Sequence, residues 1–206
     1  MFPILAGYNV AVNERRNVNK TRNSAPKGSA VSMGKIVKPS VKSLIADLAS
    51  QDGVIRVKAR RQIVAYRKRS VAPLIKTLSS ENHWVRWEAA KALSQIANPA
   101  SIQALLEALS DKEFDVRWLA AEGLIRIGRK VVVPLLEALV EHSDSLWLRE
   151  GIYHVLHDMN RGNLDKTLRP VLTALKGIEP SLEVPLAARG ALDVLKNPNP
   201  HRNFTI

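Results

Sequence analysis

The chain has 206 residues, of which 46% are hydrophobic and 24% charged, and its formal net charge is +12. It contains no cysteine, which excludes disulfides, thiolate nucleophiles and cysteine metal sites and fits a reducing compartment. No apolar run approaches the roughly 18 residues that span a bilayer. We therefore expect a folded cytoplasmic protein with no membrane span and no secretory signal.

The first 38 residues differ from the rest of the chain. The segment NERRNVNKTRNSAPKGSA is polar and basic, is interrupted by Pro26 and Gly28, and shows neither a helical nor a strand period. We predict a disordered basic tail over residues 1–38, in which Met33 is an alternative start of the chain. Residues 1–80 carry a net charge of +13, whereas residues 81–206 carry −1.

From residue 41 onward the chain repeats. The segment WVRWEAAKALSQIA at residues 84–97 returns as DVRWLAAEGLIRIG at residues 115–128. A short aliphatic cluster of the form Leu-Leu-x-x-Leu alternates with this motif, and both have the period of an amphipathic helix. Each unit of about 31 residues is therefore predicted to be an A helix, a turn and a B helix, and stacked units bury a continuous core.

The stretches VRWEAAKALSQIANPASIQALLEAL and VRWLAAEGLIRIGRKVVVPLLEAL resemble HEAT repeats, in particular the short repeats of phycobilisome-lyase-like proteins. The resemblance covers residues 41–196. It implies an all-α, armadillo-like solenoid of antiparallel helix pairs over residues 39–196, with a C-terminal tail at residues 197–206. The last helix has Pro185 at the position of the repeated arginine and is predicted to be a terminal capping A helix.

One arginine recurs at the same position of four units, at intervals of 30, 31 and 32 residues. A ligand site rarely needs one group per repeat, so we interpret this row as a structural ladder in which each arginine pairs with an acid or carbonyl of a neighbouring unit. The alternative is a row of cations for phosphates or an acidic partner. The arginine ladder consists of Arg56, Arg86, Arg117 and Arg149.

Two further groups of residues are candidates for contact with a partner or an anion. Trp87 and Trp118 lie about 160° from the centre of the apolar stripe of their helices, where they either pack between A helices or meet a partner. The first A helix is dense in cations, which form either a solvated face or an electrostatic footprint for a polyanion. The cationic candidates are Arg60, Arg61, Arg67, Lys68 and Arg69.

A histidine cluster, His142, His154, His157 and Asp158, is the one group with metal-ligand chemistry. A metal site needs three or four converging ligands, and His142 lies across a turn from the others. We therefore predict no metal site, no cofactor and no catalytic residues.

The predicted function is a non-enzymatic protein-interaction scaffold or adaptor that binds another protein on a concave surface of B helices. The alternative is a nucleic-acid-binding solenoid that uses the basic N-terminal 80 residues. A lesser alternative, implied by the resemblance, is phycobilin-lyase-like activity or a chaperone role. The sequence leaves the partner's identity and the oligomeric state open.

Overall fold

The computed structural model describes residues 38–159 and 166–197. The predicted disordered tail, the alternative start at Met33 and the predicted C-terminal tail lie outside the described residues, apart from Lys38 and Asn197.

The all-α fold predicted from the sequence is confirmed, because the described residues form ten α-helices and no strand. None of these helices is long and apolar enough to cross a membrane. In chain order they are α1 (Val41–Asp47), α2 (Gly53–Ala65), α3 (Lys68–Thr77), α4 (His83–Ile96), α5 (Ile102–Ala108), α6 (Phe114–Ile127), α7 (Val132–Glu141), α8 (Leu146–Met159), α9 (Arg169–Ala174) and α10 (Pro180–Lys196).

Side-chain caps mark where two of the A helices begin. The carboxylate of Asp52 accepts a hydrogen bond from the Val54 amide at 2.7 Å, and the Asn82 side chain accepts one from the Trp84 amide at 2.9 Å. Both satisfy amides that the first turn of a helix leaves without a partner. The A helix α6 begins after Glu113 without a side-chain cap, so the cap is not repeated in every unit.

The A helices α2, α4, α6 and α8 stack on one another, and each packs against the B helix that precedes it in the chain. Small residues permit this approach. A Cβ atom at Gly123 would lie 2.9 Å from Leu105 Cδ1 and 3.3 Å from the Ser94 Cα atom, and one at Gly151 would lie 3.0 Å from Leu109 Cδ2. The leucines of the B helices fill the space beneath, so that one continuous core runs from α1 to α10.

The last helix, α10, differs from the repeat pattern. The A helices α4, α6 and α8 each stack on the A helix before them, but α10 makes its main contacts with the B helices α7 and α9. Its side chains Leu182, Leu186 and Val194 are exposed. These exposed apolar side chains differ from the polar outer face that the end unit of a repeat array usually presents. This helix therefore ends the array in a different packing arrangement from the capping A helix that the sequence pattern predicts.

The buried B-helix leucines should dominate stability. Leu136 is fully buried in α7, so Leu136→Ala is expected to lower the free energy of unfolding by about 2–5 kcal/mol, through lost transfer energy and the cavity left behind. Leu186→Ala is the matched control, because Leu186 is 68% exposed in α10. Equilibrium urea unfolding measures both. Equal losses for the two variants would contradict the assignment of the core.

Candidate functional site

The arginine ladder bonds to the turn that joins each B helix to the following A helix. In every unit the Nη1 atom of the arginine donates to the backbone carbonyl six residues earlier, and in three units also to the carbonyl five residues earlier. These carbonyls lie two to four residues past the last residue of the B helix. The acceptors are Ser50 and Gln51 for Arg56, Ser80 and Glu81 for Arg86, Asp111 and Lys112 for Arg117, and Ser143 for Arg149.

Three of these arginines also reach forward to the next unit. The guanidinium of Arg56 lies 5.2 Å from the centre of the Trp84 ring, and that of Arg117 lies 4.5 Å from the centre of the Trp147 ring. Cation–π contact at these distances is attractive. Arg86 instead forms a bidentate pair with Asp111, with distances of 2.7 and 3.0 Å. The ladder therefore connects the turn after one B helix to the following A helix and, for these three arginines, to the next unit.

The Arg86–Asp111 pair is the most buried ion pair of the ladder, since the two side chains are 7% and 11% exposed. Burial alone would raise the pKa of Asp111. Hydrogen bonds from the Arg86 guanidinium and the Glu113 amide outweigh it and hold that pKa below its ordinary value. The hydrogen bond to Asp111 correspondingly raises the pKa of Arg86. Both groups are charged in the fold, and each depends on the other.

The cationic candidates of the first unit divide into two classes. Arg60 donates to Glu88, a carboxylate that is almost fully buried on α4, and its guanidinium lies 5.5 Å from the centre of the Trp87 ring. The Arg56 Nε atom lies 3.7 Å from the same carboxylate. Arg60 is therefore part of the contact between α2 and α4. The other four candidates are exposed: Arg61, Arg67, Lys68 and Arg69.

The two tryptophan candidates also have different surroundings. Trp87 is half-buried and packs against a small cluster that contains Val116 and Leu119. Trp118 is 39% exposed, and its ring stacks on His154 with 4.7 Å between ring centres. Trp87 therefore packs between neighbouring A helices, whereas one side of Trp118 faces solvent.

The histidines of the predicted cluster do not converge. His154 lies beside Trp118, with its Nε2 atom 4.0 Å from Glu122 Oε1, while His157 stacks on Tyr153 in α8 at 5.4 Å between ring centres. Among residues 38–159 and 166–197, no three side chains of metal-ligating type are grouped so as to hold an ion. The hydrogen bond from His154 lowers the pKa of Glu122 despite partial burial, and the nearby Arg126 and Lys91 lower it further.

A groove lies between the B helices α5 and α7 and the start of α8, with a volume of about 810 Å³. Its apolar lining includes the nearly buried Leu106 and Leu148 and the half-buried Ala138. Four acids and no lysine or arginine line it; the acids are Glu107, Glu137, Glu141 and Asp144.

The sequence interpretation did not identify this groove, although one signal was present. The motif LLEAL occurs at residues 105–109 and again at residues 135–139, so Glu107 and Glu137 occupy equivalent positions on consecutive B helices. That periodicity could have predicted neighbouring carboxylates. It could not predict the space between the helices, which depends on how far apart α5 and α7 lie.

Breaking the most buried ion pair of the ladder should be costly. Arg86→Met removes the partner of a buried carboxylate and leaves the Ser80 and Glu81 carbonyls without that donor, so we expect a loss of about 3–5 kcal/mol in the free energy of unfolding. Arg61→Met is the control, because Arg61 is exposed, and it should change stability by about 0.5 kcal/mol or less. Urea unfolding at neutral pH compares the two. Similar stabilities would refute a structural role for Arg86.

The lowered pKa values of Asp111 and Glu122 predict the acid sensitivity of the fold. Stabilisation by a group whose pKa is lower in the folded state is present above its ordinary value, here 3.8 and 4.5, and is lost as the pH falls through the folded value. The free energy of unfolding should therefore fall as the pH drops below about 4.5. Asp111→Asn should flatten this dependence, whereas the exposed Asp193→Asn should not. Urea unfolding at a series of pH values tests this, and identical profiles for the two variants would contradict it.

Comparison with known proteins identifies the family. A family model described as HEAT repeats matches residues 41–125 and residues 104–193, so that its two matches overlap and cover most of the chain. No curated protein matches the chain. Among solved structures, the crystal structure of an engineered protein, a Northeast Structural Genomics Consortium target, is 22% identical with a TM-score of 0.40, over 76% of this chain and 79% of that chain. The chain belongs to the HEAT-repeat family.

Proposed function

We propose that this chain is a non-enzymatic scaffold that binds another protein on its B-helix face, in the groove between α5 and α7. HEAT repeats generally mediate protein–protein interactions. The observation that carries the proposal is the groove itself, which combines an apolar floor with a polar rim between α5, α7 and the first turn of α8. That combination matches the anatomy of a protein-binding surface, in which an apolar centre is surrounded by polar groups.

The distribution of buried charge supports a binding role. The buried or partly buried charged side chains that pair across units, such as Arg60 with Glu88 and Arg86 with Asp111, serve the stacking of A helices. The groove offers leucine, isoleucine, proline and alanine side chains together with exposed acids. An apolar side chain of a partner would cover the floor at Leu106 and Ala138 and exclude water from it. Burial of apolar surface is the main favourable contribution in such contacts.

A second candidate function is polyanion binding at the first unit, and one observation favours it. Four of the predicted contact cations, from Arg61 in α2 to Arg69 in α3, are exposed within nine residues of chain. Clustered exposed cations of this kind attract phosphates by a salt-dependent, sequence-independent mechanism. Arg60 does not belong to this surface because it binds Glu88, so the useful substitutions are Arg61→Glu and Lys68→Glu.

Affinity capture from the native cell, with and without nuclease, tests both candidates. Ala138→Gln introduces a longer neutral side chain into the groove and should reduce the captured protein partner by roughly tenfold, about 1.4 kcal/mol. Ala65→Gln is the matched control on an exposed position of α2, and it should leave capture unchanged.

Each outcome of that capture has one interpretation. A partner that is retained equally by Ala138→Gln and the wild type would refute binding in the groove. If the partner instead disappears on nuclease treatment and in the Arg61→Glu, Lys68→Glu double variant, the polyanion-binding function is supported in its place.

A further inference from the structure

We infer that the groove between α5 and α7 binds a basic, extended segment of a partner protein, with cationic side chains on the rim and apolar side chains on the floor. This inference rests on the proposed function and specifies the chemistry of the partner. Its first basis is charge. Four carboxylates line the groove together with one histidine and no lysine or arginine, so the site attracts cations although the chain as a whole carries +12.

The acids of the groove belong to a change of sign along the B-helix face. The position that Glu107 holds in α5 and Glu137 holds in α7 is held by Lys76 in α3. The exposed charged side chains of α1 and α3 are otherwise cationic too, namely Lys42, Lys68 and Arg69. The exposed charge of the B helices is therefore basic on α1 and α3 and acidic on α5 and α7. A basic segment is repelled by α1 and α3 and attracted by α5 and α7. It should therefore bind at the groove rather than elsewhere along the B helices.

The individual carboxylates are placed to meet ligand cations. Glu141 is 70% exposed and Asp144 is exposed, both at the end of the groove where α7 leads into α8. Glu137 already binds one cation, because the Lys196 ammonium lies 3.0 Å from its Oε1 atom. Glu107 accepts a hydrogen bond of 3.2 Å from Gln103, which leaves the second oxygen of the carboxylate available for a ligand. The Lys196–Glu137 contact shows the type of interaction that a partner's lysine would make.

The dimensions of the groove favour an extended segment. Its lining runs along α5, which is about 10 Å long at 1.5 Å per residue, and continues to Pro99 before that helix and to Ser110 after it. An extended chain rises about 3.3 Å per residue, so at least three residues fit along the helix. Alternate side chains of such a segment point to opposite sides. The nearly buried Leu106 and Leu148 form the floor, and the acids lie at the rim. The matching partner sequence therefore alternates apolar and basic residues.

Fluorescence anisotropy with three labelled seven-residue peptides tests this with the full-length chain. The probes alternate leucine with lysine, with serine or with glutamate. We expect the Lys/Leu peptide to bind on the order of tenfold more tightly than the other two at low salt, and its affinity to fall as salt is added. The net charge of +12 makes this a demanding test, because nonspecific attraction would favour the Glu/Leu peptide.

Two double variants locate the binding. Glu107→Gln with Glu141→Gln should weaken the Lys/Leu peptide by roughly fivefold, since each removes one exposed charge pair. Glu81→Gln with Asp193→Asn removes two exposed acids outside the groove and should have no effect. Equal loss in both double variants, or tighter binding of the Ser/Leu or Glu/Leu peptide, overturns the inference. Thermal unfolding by circular dichroism shows whether each variant remains folded.

The remaining outcomes separate this inference from the proposed function. If no probe binds but capture of a protein partner still depends on Ala138, the inferred basic chemistry of the partner is wrong and the scaffold function stands. If the Lys/Leu peptide binds in the groove but Ala138→Gln leaves partner capture intact, the proposed function is wrong and the preference of the groove for a basic segment stands. Sedimentation of the unliganded chain tests whether a second copy of the chain occupies the groove. A dimer that dissociates in the Glu107→Gln, Glu141→Gln variant means that a second copy fills the groove, which overturns the inference.

Discussion

The stacking of the units depends on one arginine in each A helix. Its guanidinium donates to backbone carbonyls in the turn that follows the preceding B helix, and this contact holds the turn against the A helix that carries the arginine. In three of the four copies the same guanidinium also contacts the next unit, at a tryptophan ring or at Asp111. One side chain thus joins a turn, an A helix and the neighbouring unit.

The A-helix layer is packed more closely than the B-helix layer. The A helices carry alanine and glycine at their contacts and pack closely, with Gly123 of α6 against the backbone of α4 at Ser94. Charged side chains within that layer pair with one another across neighbouring helices, as Arg60 and Glu88 do. The B helices carry leucines toward the core and contact one another less, which leaves the groove between α5 and α7. Surface available for a partner therefore lies on the side where stacking is looser.

The repeat was predictable from the sequence, because the same residue types recur in register and because Asp52 and Asn82 mark the starts of their helices. The roles of single side chains were predictable only where they act within one unit or at a repeated position. Arg60 appeared to be a surface cation, since its partner Glu88 lies 28 residues away and no second unit repeats the pair. The packing of α10 was likewise hidden, because Pro185 marks the end of the pattern but does not indicate which helix α10 contacts.

The local charge of a binding surface can oppose the charge of the whole molecule, and this chain separates the two along its length. The exposed cations of α2 and α3 and the acids around the α5–α7 groove lie in different units. At a physiological Debye length of about 8 Å, charges one or two units away are strongly screened, so each surface attracts ligands by its own sign. A basic segment at the groove and a polyanion at the first unit are therefore compatible. The net charge of the chain does not indicate which ligand either surface binds.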